Sequence, residues 1–308
     1  MKLIVSSSPH ITGKDSTQSI MRDVIIALLP ALAVSVYAFG PRTLLLTAFT
    51  AAACVFFEYA YEKLMKLPVT VSDLSAVVTG MLLAYNMPPT FPLWMAAVGA
   101  AVSIIVVKQL FGGIGYNFAN PAIVGRIVLS LSYASRMTNF TLGADMTATA
   151  TPLAMYANGA GTVPSLMEMF VGYTGGVLGE TSACALLIGF AYLLFRKVIS
   201  PVIPCTYIAT VAVLARIFGL NVGVYVLGGG LMLGAIFMAT DYTTSPYTLK
   251  GKLIFGLGLG FITFMIRRFG TMTEGVSYAI LLMNLLVPYI NMNTRQRPLG
   301  APAKKEAK

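Results

Sequence analysis

The chain has 308 residues, of which 57% are hydrophobic and only 10% are charged, and its formal net charge is +10. A water-soluble domain carries about 25% charged residues, so this composition excludes an ordinary soluble fold. The basic residues are scattered between apolar runs, which disfavours a nucleic-acid-binding protein and is typical of membrane-protein loops.

Apolar runs of roughly 17 to 25 residues recur along the chain, long enough for helices that cross about 30 Å of hydrocarbon. Such uninterrupted runs favour helices over a β-barrel, so we predict an all-α polytopic membrane protein with about ten transmembrane helices. The predicted helices cover residues 19–39, 43–61, 74–85, 92–110, 121–133, 175–195, 202–218, 223–240, 253–266 and 275–290.

Two of these segments, residues 74–85 and 121–133, are too short to cross a bilayer comfortably, and Pro and Gly flank both. Short, interrupted segments are typical of broken helices whose ends form a site within the membrane. A weak internal similarity predicts two halves of about five helices each in a single membrane domain. The first half is residues 1–137, a polar loop follows at 138–174, the second half is 175–292, and a basic tail is 293–308.

Lys and Arg predict the orientation, because positive charge accumulates on the cytoplasmic side of membrane proteins. With the N-terminus inside, the inner set includes Lys63, Lys66 and Lys108 together with the basic tail, and the outer set has fewer such residues. Residues 1–19 are polar and lack the apolar core of a secretory signal. Both termini are therefore expected in the cytoplasm, with the 138–174 loop on the outer face.

Cysteine and histidine usage excludes several redox centres. Cys54, Cys184 and Cys205 lie in apolar segments without a C-x-x-C pair, and His10 is the only histidine. Three thiols cannot supply the four ligands of an ordinary iron–sulfur cluster, and one histidine cannot supply both axial ligands of a haem. The cysteines are best explained as small hydrophobic side chains in helix packing.

Five carboxylates lie at or near the ends of predicted spans, where ionisable groups are costly and usually line a pathway or pair with a cation. They are Glu58, Asp73, Glu180, Asp241 and Glu274. Each one singly could instead cap a helix, as Asp73 would by preceding an apolar run.

Residues 112–126 (GGIGYNFANPAIVGR) form the densest local motif. Its glycines permit a tight turn, and Asn117 and Asn120 offer paired donors and acceptors suited to a flat heterocycle. Pro121 fits the first turn of a following helix, and Arg126 within that helix needs a partner, for which Asp241 or Asp73 is a candidate. A re-entrant turn that needs Gly and Asn only for its backbone is the alternative.

Two hydroxyl-rich stretches complete the set of motifs. Residues 145–153 (DMTATATPL) read as a Thr-rich outer loop whose hydroxyls could accept a covalent modification, or as ordinary turn chemistry. Residues 239–246 (ATDYTTSP) place hydroxyls and a carboxylate beside a span. They predict either a helix C-terminal turn or a flavin or cation site on the cytoplasmic side.

Four motifs in order along nearly the whole chain resemble one family. They are residues 6–11 (SSSPHI), 112–122 (GGIGYNFANPA), 237–246 (FMATDYTTSP) and 267–284 (RRFGTMTEGVSYAILLMN). The family is that of the RnfD membrane subunit of the Rnf ion-translocating ferredoxin:NAD oxidoreductase, which is homologous to a membrane subunit of the Na+-translocating NADH:quinone reductase. The resemblance implies a urea-transporter-like fold and a subunit of a redox-driven ion pump.

The resemblance also implies two flavins in this subunit. Members of the family carry FMN joined by a phosphoester to a threonine, and the matching residue here is Thr151. They also hold noncovalent riboflavin, which we expect near Asn117, Asn120 and Asp241. Electrons would then pass across the membrane, coupled to Na+ or H+ moving along a pathway of carboxylates. The pathway candidates are Asp73, Glu180, Asp241 and Glu274; no catalytic residue and no metal site are expected.

The flavin attachment motif departs from the family pattern. Residues 148–151 are Ala-Thr-Ala-Thr, where the family has Ser or Thr followed by Gly-Ala-Thr. The final Ala-Thr is intact, and Thr149 or Thr147 is the alternative attachment residue.

The chain has no Gly-rich nicotinamide-binding fingerprint, so NAD and ferredoxin are expected to bind partner subunits. Other Rnf subunits, including a second covalent-flavin subunit on the outer face, are the expected partners in a bacterial or archaeal cytoplasmic membrane. A small-solute channel of the same fold is one alternative and a structural scaffold for other subunits is another; bound flavin distinguishes the pump subunit from both.

Overall fold

A computed structural model describes residues 16–142, 147–159, 163–270 and 275–295, and these parts of the chain are almost wholly helical. In chain order the helices are α1 (Thr17–Phe39), α2 (Arg42–Leu64), α3 (Ser75–Tyr85), α4 (Leu93–Ala101), α5 (Pro121–Ser132), α6 (Ala134–Met137), α7 (Pro152–Asn158), α8 (Leu166–Val171), α9 (Ala183–Phe195), α10 (Val202–Ile217), α11 (Val222–Leu227), α12 (Leu231–Leu233), α13 (Leu249–Phe269) and α14 (Val276–Thr294).

Three shorter helical pieces adjoin these helices. A single 3₁₀ turn, Val71–Asp73, precedes α3. Helix α4 continues as a π-helix, Val102–Lys108, and a last 3₁₀ turn, Gln109–Phe111. Helix α12 likewise continues as a π-helix, Gly234–Met238.

The chain is a multi-pass membrane protein, as its composition predicts. Five helices of the described residues are long and apolar enough to cross a membrane: α1, α2, the extended α4, α13 and α14. Shorter apolar helices, α3, α5, α9 and α10, lie between them in the sequence. Main packing contacts join α1 to α9, α2 to α3 and α4, and α13 to α10 and α14. The division into two similar halves stays a prediction.

The two segments predicted to be short are short helices. Helix α3 has 11 residues and α5 has 12. Helix α5 begins as its sequence predicts, with Asn120 as the N-cap and Pro121 in the first turn. Neither is long enough to cross about 30 Å of hydrocarbon alone.

The predicted helix at residues 175–195 is wrong over its first part, because α9 begins only at Ala183. The preceding residues are largely buried without being helical. Their amides bond to the end of α3 instead: the N–H of Leu178 donates to the carbonyl of Met87 at 3.1 Å, and that of Gly179 to Tyr85 at 2.8 Å. A tertiary hydrogen bond thus replaces the helical one at these two amides.

The predicted helix at residues 223–240 is interrupted, because α11 ends at Leu227 and α12 starts at Leu231. Gly229 and Gly230 adopt φ of +67° and +68°, which favours glycine. The freed carbonyls of Tyr225, Gly228 and Gly229 accept hydrogen bonds from the buried guanidinium of Arg267 at 2.6 to 3.0 Å. This charged donor makes a helix break possible inside an apolar layer.

The long segment predicted as a polar loop, residues 138–174, contains regular structure. Strands β1 (Thr141–Leu142) and β2 (Thr147–Ala148) pair antiparallel, with Thr141 opposite Ala148. The short helices α7 and α8 follow, each with a side-chain N-cap, Thr151 for α7 and Ser165 for α8. The described parts of this segment are therefore folded, and Thr151 has a fixed place at the start of α7.

Candidate functional site

A cavity of about 840 Å³, including its open mouth, lies at the end of the helices where α1 begins. Most of its wall is apolar, with Ile20 and Met21 of α1 on one side and Ile236 and Phe237 of the π-helix after α12 on another. Pockets for small organic ligands combine an apolar wall of this kind with a few placed polar groups. The polar residues of the wall are Ser75, Thr79, Lys108, Asn117, Asn120, Thr240, Asp241 and Thr243.

The three residues predicted for riboflavin, Asn117, Asn120 and Asp241, all line this one cavity. They come from two segments more than a hundred positions apart in the sequence, the turn before α5 and the turn after α12. A direct contact joins these turns, because the amide of Asn117 donates to the hydroxyl of Thr243 at 3.0 Å. The cavity therefore brings the two polar motifs of the sequence together.

Asn120, which is buried, also connects the turn before α5 to the segment that precedes Asp241. Its side-chain oxygen caps α5 by accepting from the amides of Ala122 and Ile123 at 3.0 and 3.4 Å. Its side-chain nitrogen donates to the carbonyl of Met238, at the end of the π-helix, at 3.2 Å. One buried amide thus fixes the start of α5 against the segment that carries Asp241.

The carboxylate of Asp241 is held by the hydroxyls that follow it. Its Oδ2 accepts from the hydroxyls of Thr243 and Thr244 at 3.0 and 3.2 Å, and its Oδ1 accepts from the amide of Thr243 at 3.3 Å. An acidic residue that caps its own turn in this way is rigid. Asp241 therefore presents its carboxyl group at a fixed position in the cavity wall.

The glycines of the 112–126 motif have a local conformational reason. Gly112, Gly113 and Gly115 adopt φ of +115°, +88° and +91°, a backbone region that other residues rarely enter. Through them the chain turns from the last turn of α4 towards Asn117. The alternative interpretation, a turn that needs glycine for its backbone, is thus true of the glycines, while the two asparagines line a cavity.

Sequence reasoning missed a buried charged network beside the cavity. The ammonium of Lys108, at the end of the π-helix of α4, contacts Oε1 of Glu58 at 2.5 Å and the hydroxyl of Ser75 at 2.6 Å. The hydroxyl and amide of Ser75 in turn donate to Oδ1 of Asp73 at 2.5 and 2.8 Å. Lys108 was interpreted only as a topological charge, although a lysine inside an apolar segment is itself a signal of function.

Arg126 lies away from the carboxylates proposed as its partners. Its Nη1 donates to the side chains of Asn86 and Ser277 at 3.0 and 2.8 Å. Those contacts join α5 to the end of α3 and to α14. The expected pairing with Asp241 or Asp73 is not found among the described residues, where Asp241 accepts from Thr243 and Thr244 and Asp73 accepts from Ser75.

The predicted ion-pathway residues lie in several segments of the chain. Asp241 lines the cavity and Asp73 reaches it through Ser75. Glu180 lies in the non-helical segment before α9, which contacts the end of α3. Glu274 lies outside the described residues. Among the residues that the structure describes, no group of three His, Cys, Asp or Glu side chains is arranged to hold a metal ion.

Thr151, the predicted FMN attachment residue, is the N-cap of α7 and is only 1% exposed. Its hydroxyl oxygen accepts from the amide of Ala154 at 3.3 Å. Thr149 is partly exposed and donates to the carbonyl of Ala150 at 3.4 Å. The side chain of Thr147 lies outside the described part of the chain.

Thr151 lies near the end of α13, and the cavity lies on the side of its start. Leu153, two residues after Thr151, packs beside Gly229. The carbonyl of Gly229 accepts from the guanidinium of Arg267, which lies near the end of α13. The cavity residue Asp241 precedes the start of the same helix. A helix of 21 residues is about 30 Å long, roughly the thickness of the hydrocarbon layer.

Curated relatives resemble the chain over its whole length. The chain is 49% identical to the D-subunit of the Na(+)-translocating ferredoxin:NAD(+) oxidoreductase complex of Acetobacterium woodii, covering 100% of this chain and 99% of that protein. It is 38% identical to the D-subunit of the proton-translocating ferredoxin:NAD(+) oxidoreductase complex of Clostridium ljungdahlii, over 96% of each. It is 35% identical to the D-subunit of the ion-translocating oxidoreductase complex of Stutzerimonas stutzeri, over 94% of each.

A family model gives the same result independently of any one relative. It is described as the NQR2, RnfD, RnfE family, and it matches residues 4–300. This match covers nearly the whole chain, including the cavity and the segment that carries Thr151. The chain therefore belongs to the NQR2, RnfD, RnfE family.

Proposed function

We propose that the chain is the membrane-embedded flavin subunit of a redox-driven ion pump. In this role it passes electrons between the two membrane faces through FMN on Thr151 and riboflavin in the cavity, between ferredoxin and NAD bound by partner subunits. The observation that carries the proposal is the meeting of Asn117, Asn120 and Asp241 in one cavity. The names of its relatives support the pump assignment.

The cavity suits the ring system of riboflavin. A flavin ring has an apolar edge and an edge of alternating hydrogen-bond donors and acceptors. The apolar wall of α1 and the π-helix after α12 can hold the first, and the amides and the Asp241 carboxylate can bind the second. A flavin supplies reversible electron transfer, while the protein positions the ring and tunes its surroundings.

Thr151 suits a phosphoester because its hydroxyl acts as an acceptor in the described structure. An ester oxygen has lost its proton but keeps a lone pair, so the cap on α7 can survive the modification. Esterification of Thr149 would remove the donor that contacts Ala150. Because Thr151 is buried in this conformation, the attaching enzyme must act before the 147–159 segment has packed or when it opens.

The names of the relatives give different coupling ions. One relative is named for Na+ and another for protons, and the chain resembles both over nearly full length. Membership of the family therefore leaves both cations open. Glu58, which is buried, and Asp73, which is partly buried, lie beside the cavity and are the candidates in this chain for meeting either cation.

Both flavins can be tested on one preparation of the purified complex, expressed together with its flavin-attaching enzyme. Denaturing electrophoresis under ultraviolet light detects the covalent flavin, and the fraction released on denaturation contains the noncovalent one. We expect a fluorescent band for the wild type and for Thr149→Ala but none for Thr151→Ala. Riboflavin release should remain in both variants and fall at least tenfold in Asn117→Ala.

The controls separate the two cofactor assignments. Asn158→Ala changes an exposed amide of α7 and should leave both signals intact. Fluorescence that persists in Thr151→Ala and disappears in Thr149→Ala would move the attachment to Thr149. A wild-type complex without any flavin would overturn the redox proposal and favour the solute channel.

A further inference from the structure

We propose that Lys108 is a positioning residue that shares its positive charge between Glu58 and the reduced ligand of the cavity. This inference rests on the proposed function, since it assumes a redox-active ligand in the cavity. In this inference the buried ion pair of Lys108 and Glu58 links the arrival of an electron in the cavity to the binding of a cation.

Lys108 lies between a buried carboxylate and the cavity. It is 3% exposed, yet it belongs to the cavity wall, as does Ser75. An ammonium group has three donors, and in the described part of the chain two of them bind Glu58 and Ser75. The third donor is therefore available to a ligand in the cavity without any loss of the existing contacts.

The carboxylates of this network are only half satisfied. Glu58 is 0% exposed, and while its Oε1 accepts from Lys108 and Gln109, its Oε2 has no hydrogen-bond partner in the described structure. Oδ2 of Asp73 is also buried and without such a partner among the described residues. Lys108 thus contacts Glu58 directly and reaches Asp73 only through the hydroxyl of Ser75, and among the described residues each carboxylate keeps one oxygen unsatisfied.

A purely structural ion pair has different requirements. A buried charge is tolerated when its partners satisfy it fully, and an uncompensated carboxylate oxygen is strongly unfavourable. Glu58 and Asp73 each have a spare acceptor that a second cation could satisfy. The network therefore resembles a site whose charge balance changes during function more than a completed structural bridge.

Reduction of the ligand would change that balance. Each electron that arrives without a proton adds one negative charge at the cavity, and Lys108 is the cation of the wall that can compensate it. The electron comes from the reductant of the complex, which is ferredoxin by the names of two of the relatives, and Lys108 forms and breaks no covalent bond. Because Lys108 then compensates the ligand as well as Glu58, one monovalent cation near Glu58 restores neutrality.

The midpoint potential of the noncovalent flavin tests the assignment. We would titrate the purified complex spectroelectrochemically as wild type, Lys108→Met, Lys108→Arg and Glu58→Gln. Lys108→Met should lower the equilibrium constant for one-electron reduction of the flavin at least tenfold, which corresponds to a midpoint potential at least 59 mV lower. Glu58→Gln should shift it in the opposite direction, because it removes the competing negative charge, and Lys108→Arg should lie near the wild type.

Lys63→Met is the matched control. It makes the same chemical change on α2, at an exposed lysine whose ammonium contacts the hydroxyl of Tyr59. It should leave the potential unchanged, whereas a merely structural role of Lys108 would change stability and leave the potential of the retained flavin unchanged.

The outcomes separate this inference from the function on which it rests. Flavin that is retained with an unchanged potential in both Lys108→Met and Glu58→Gln would overturn the inference and leave the proposed function standing. If Lys108→Met does not fold, the upward shift in Glu58→Gln decides alone. A wild-type complex that contains no noncovalent flavin would overturn the proposed function itself.

Discussion

At the residue scale, Asn120 connects two segments that the sequence separates widely. Its side-chain oxygen caps α5 and its nitrogen binds the carbonyl of Met238. Serine can replace the first interaction, since it is also a good N-cap, but it cannot reach the second. Alanine removes both. Comparing asparagine, serine and alanine at position 120 therefore measures the N-cap and the hydrogen bond to Met238 separately.

We predict that stability falls in the order wild type, Asn120→Ser, Asn120→Ala. The alanine variant should lose about 1 kcal/mol relative to the serine variant, which is the usual value of an N-cap. Serine should lose about 1 kcal/mol or more relative to the wild type, because the Met238 carbonyl is left buried without its donor. Denaturant unfolding in detergent measures this series, and equal stability of serine and wild type would show that the cross-link contributes nothing.

The asparagines could be predicted from the sequence, but the role of Lys108 could not. Asn117 and Asn120 belong to a Gly-rich motif whose composition alone favours a ligand site. Lys108 is recognisable in the sequence as a lysine within an apolar segment, but the sequence does not identify its partner. Its role depends on Glu58, which is fifty positions earlier in the sequence. Only the packing of α2 against α4 and its π-helical continuation brings the two side chains to 2.5 Å.

At the scale of elements, apolar runs predicted where helices lie but not where they break. The interruption at residues 228–230 consists of three glycines within an apolar stretch, and glycine is frequent in transmembrane helices that do not break. What makes the break stable is Arg267, almost forty positions later. The non-helical residues before α9 are similar, because their partners are the carbonyls of Tyr85 and Met87.

Arg267 therefore has a testable role in the interrupted helix. Its three hydrogen bonds to the carbonyls of Tyr225, Gly228 and Gly229 involve a charged donor, and each such bond contributes about 1.5–3 kcal/mol. We predict that Arg267→Met lowers the free energy of unfolding by about 3 kcal/mol or more. Hydrogen exchange should also become faster in α11 and α12, where the freed carbonyls would draw water into the break.

Arg268→Met provides the comparison for this variant. Arg268 is the next residue of α13, is exposed, and lies over the ring of Phe269. The same loss of a guanidinium there should change stability by well under about 1 kcal/mol, as for most exposed sites. If both variants behave alike, the break is held by helix packing and not by the buried guanidinium.

At the scale of the whole molecule, the two proposed flavin sites lie towards different ends of α13. The cavity lies on the side of its start and Thr151 lies near its end, so an electron passing between them crosses part of the hydrocarbon layer. If α13 crosses the membrane, each flavin faces a different compartment. An electron passing between them moves charge through the membrane field, worth about 2.3 kcal/mol per elementary charge at 100 mV.

This arrangement predicts opposite labelling of two engineered cysteines. In a background lacking Cys54, Cys184 and Cys205, Asn158→Cys marks the Thr151 end and Lys250→Cys marks the cavity end. Both native side chains are exposed. With the cavity end in the cytoplasm, as the Lys and Arg distribution favours, a membrane-impermeant maleimide should label the first in intact cells and the second only in inverted vesicles.

The labelling result decides whether this chain can carry charge across the membrane at all. Labelling of both positions from one side would place both flavins on the same face, and the membrane-crossing step would have to belong to another subunit. Labelling from opposite sides but in the reverse sense would keep the crossing and invert its direction, placing riboflavin outside. Only the expected pattern puts the Lys108 network at the cytoplasmic face, where a cation taken up with each electron would come from the cytoplasm.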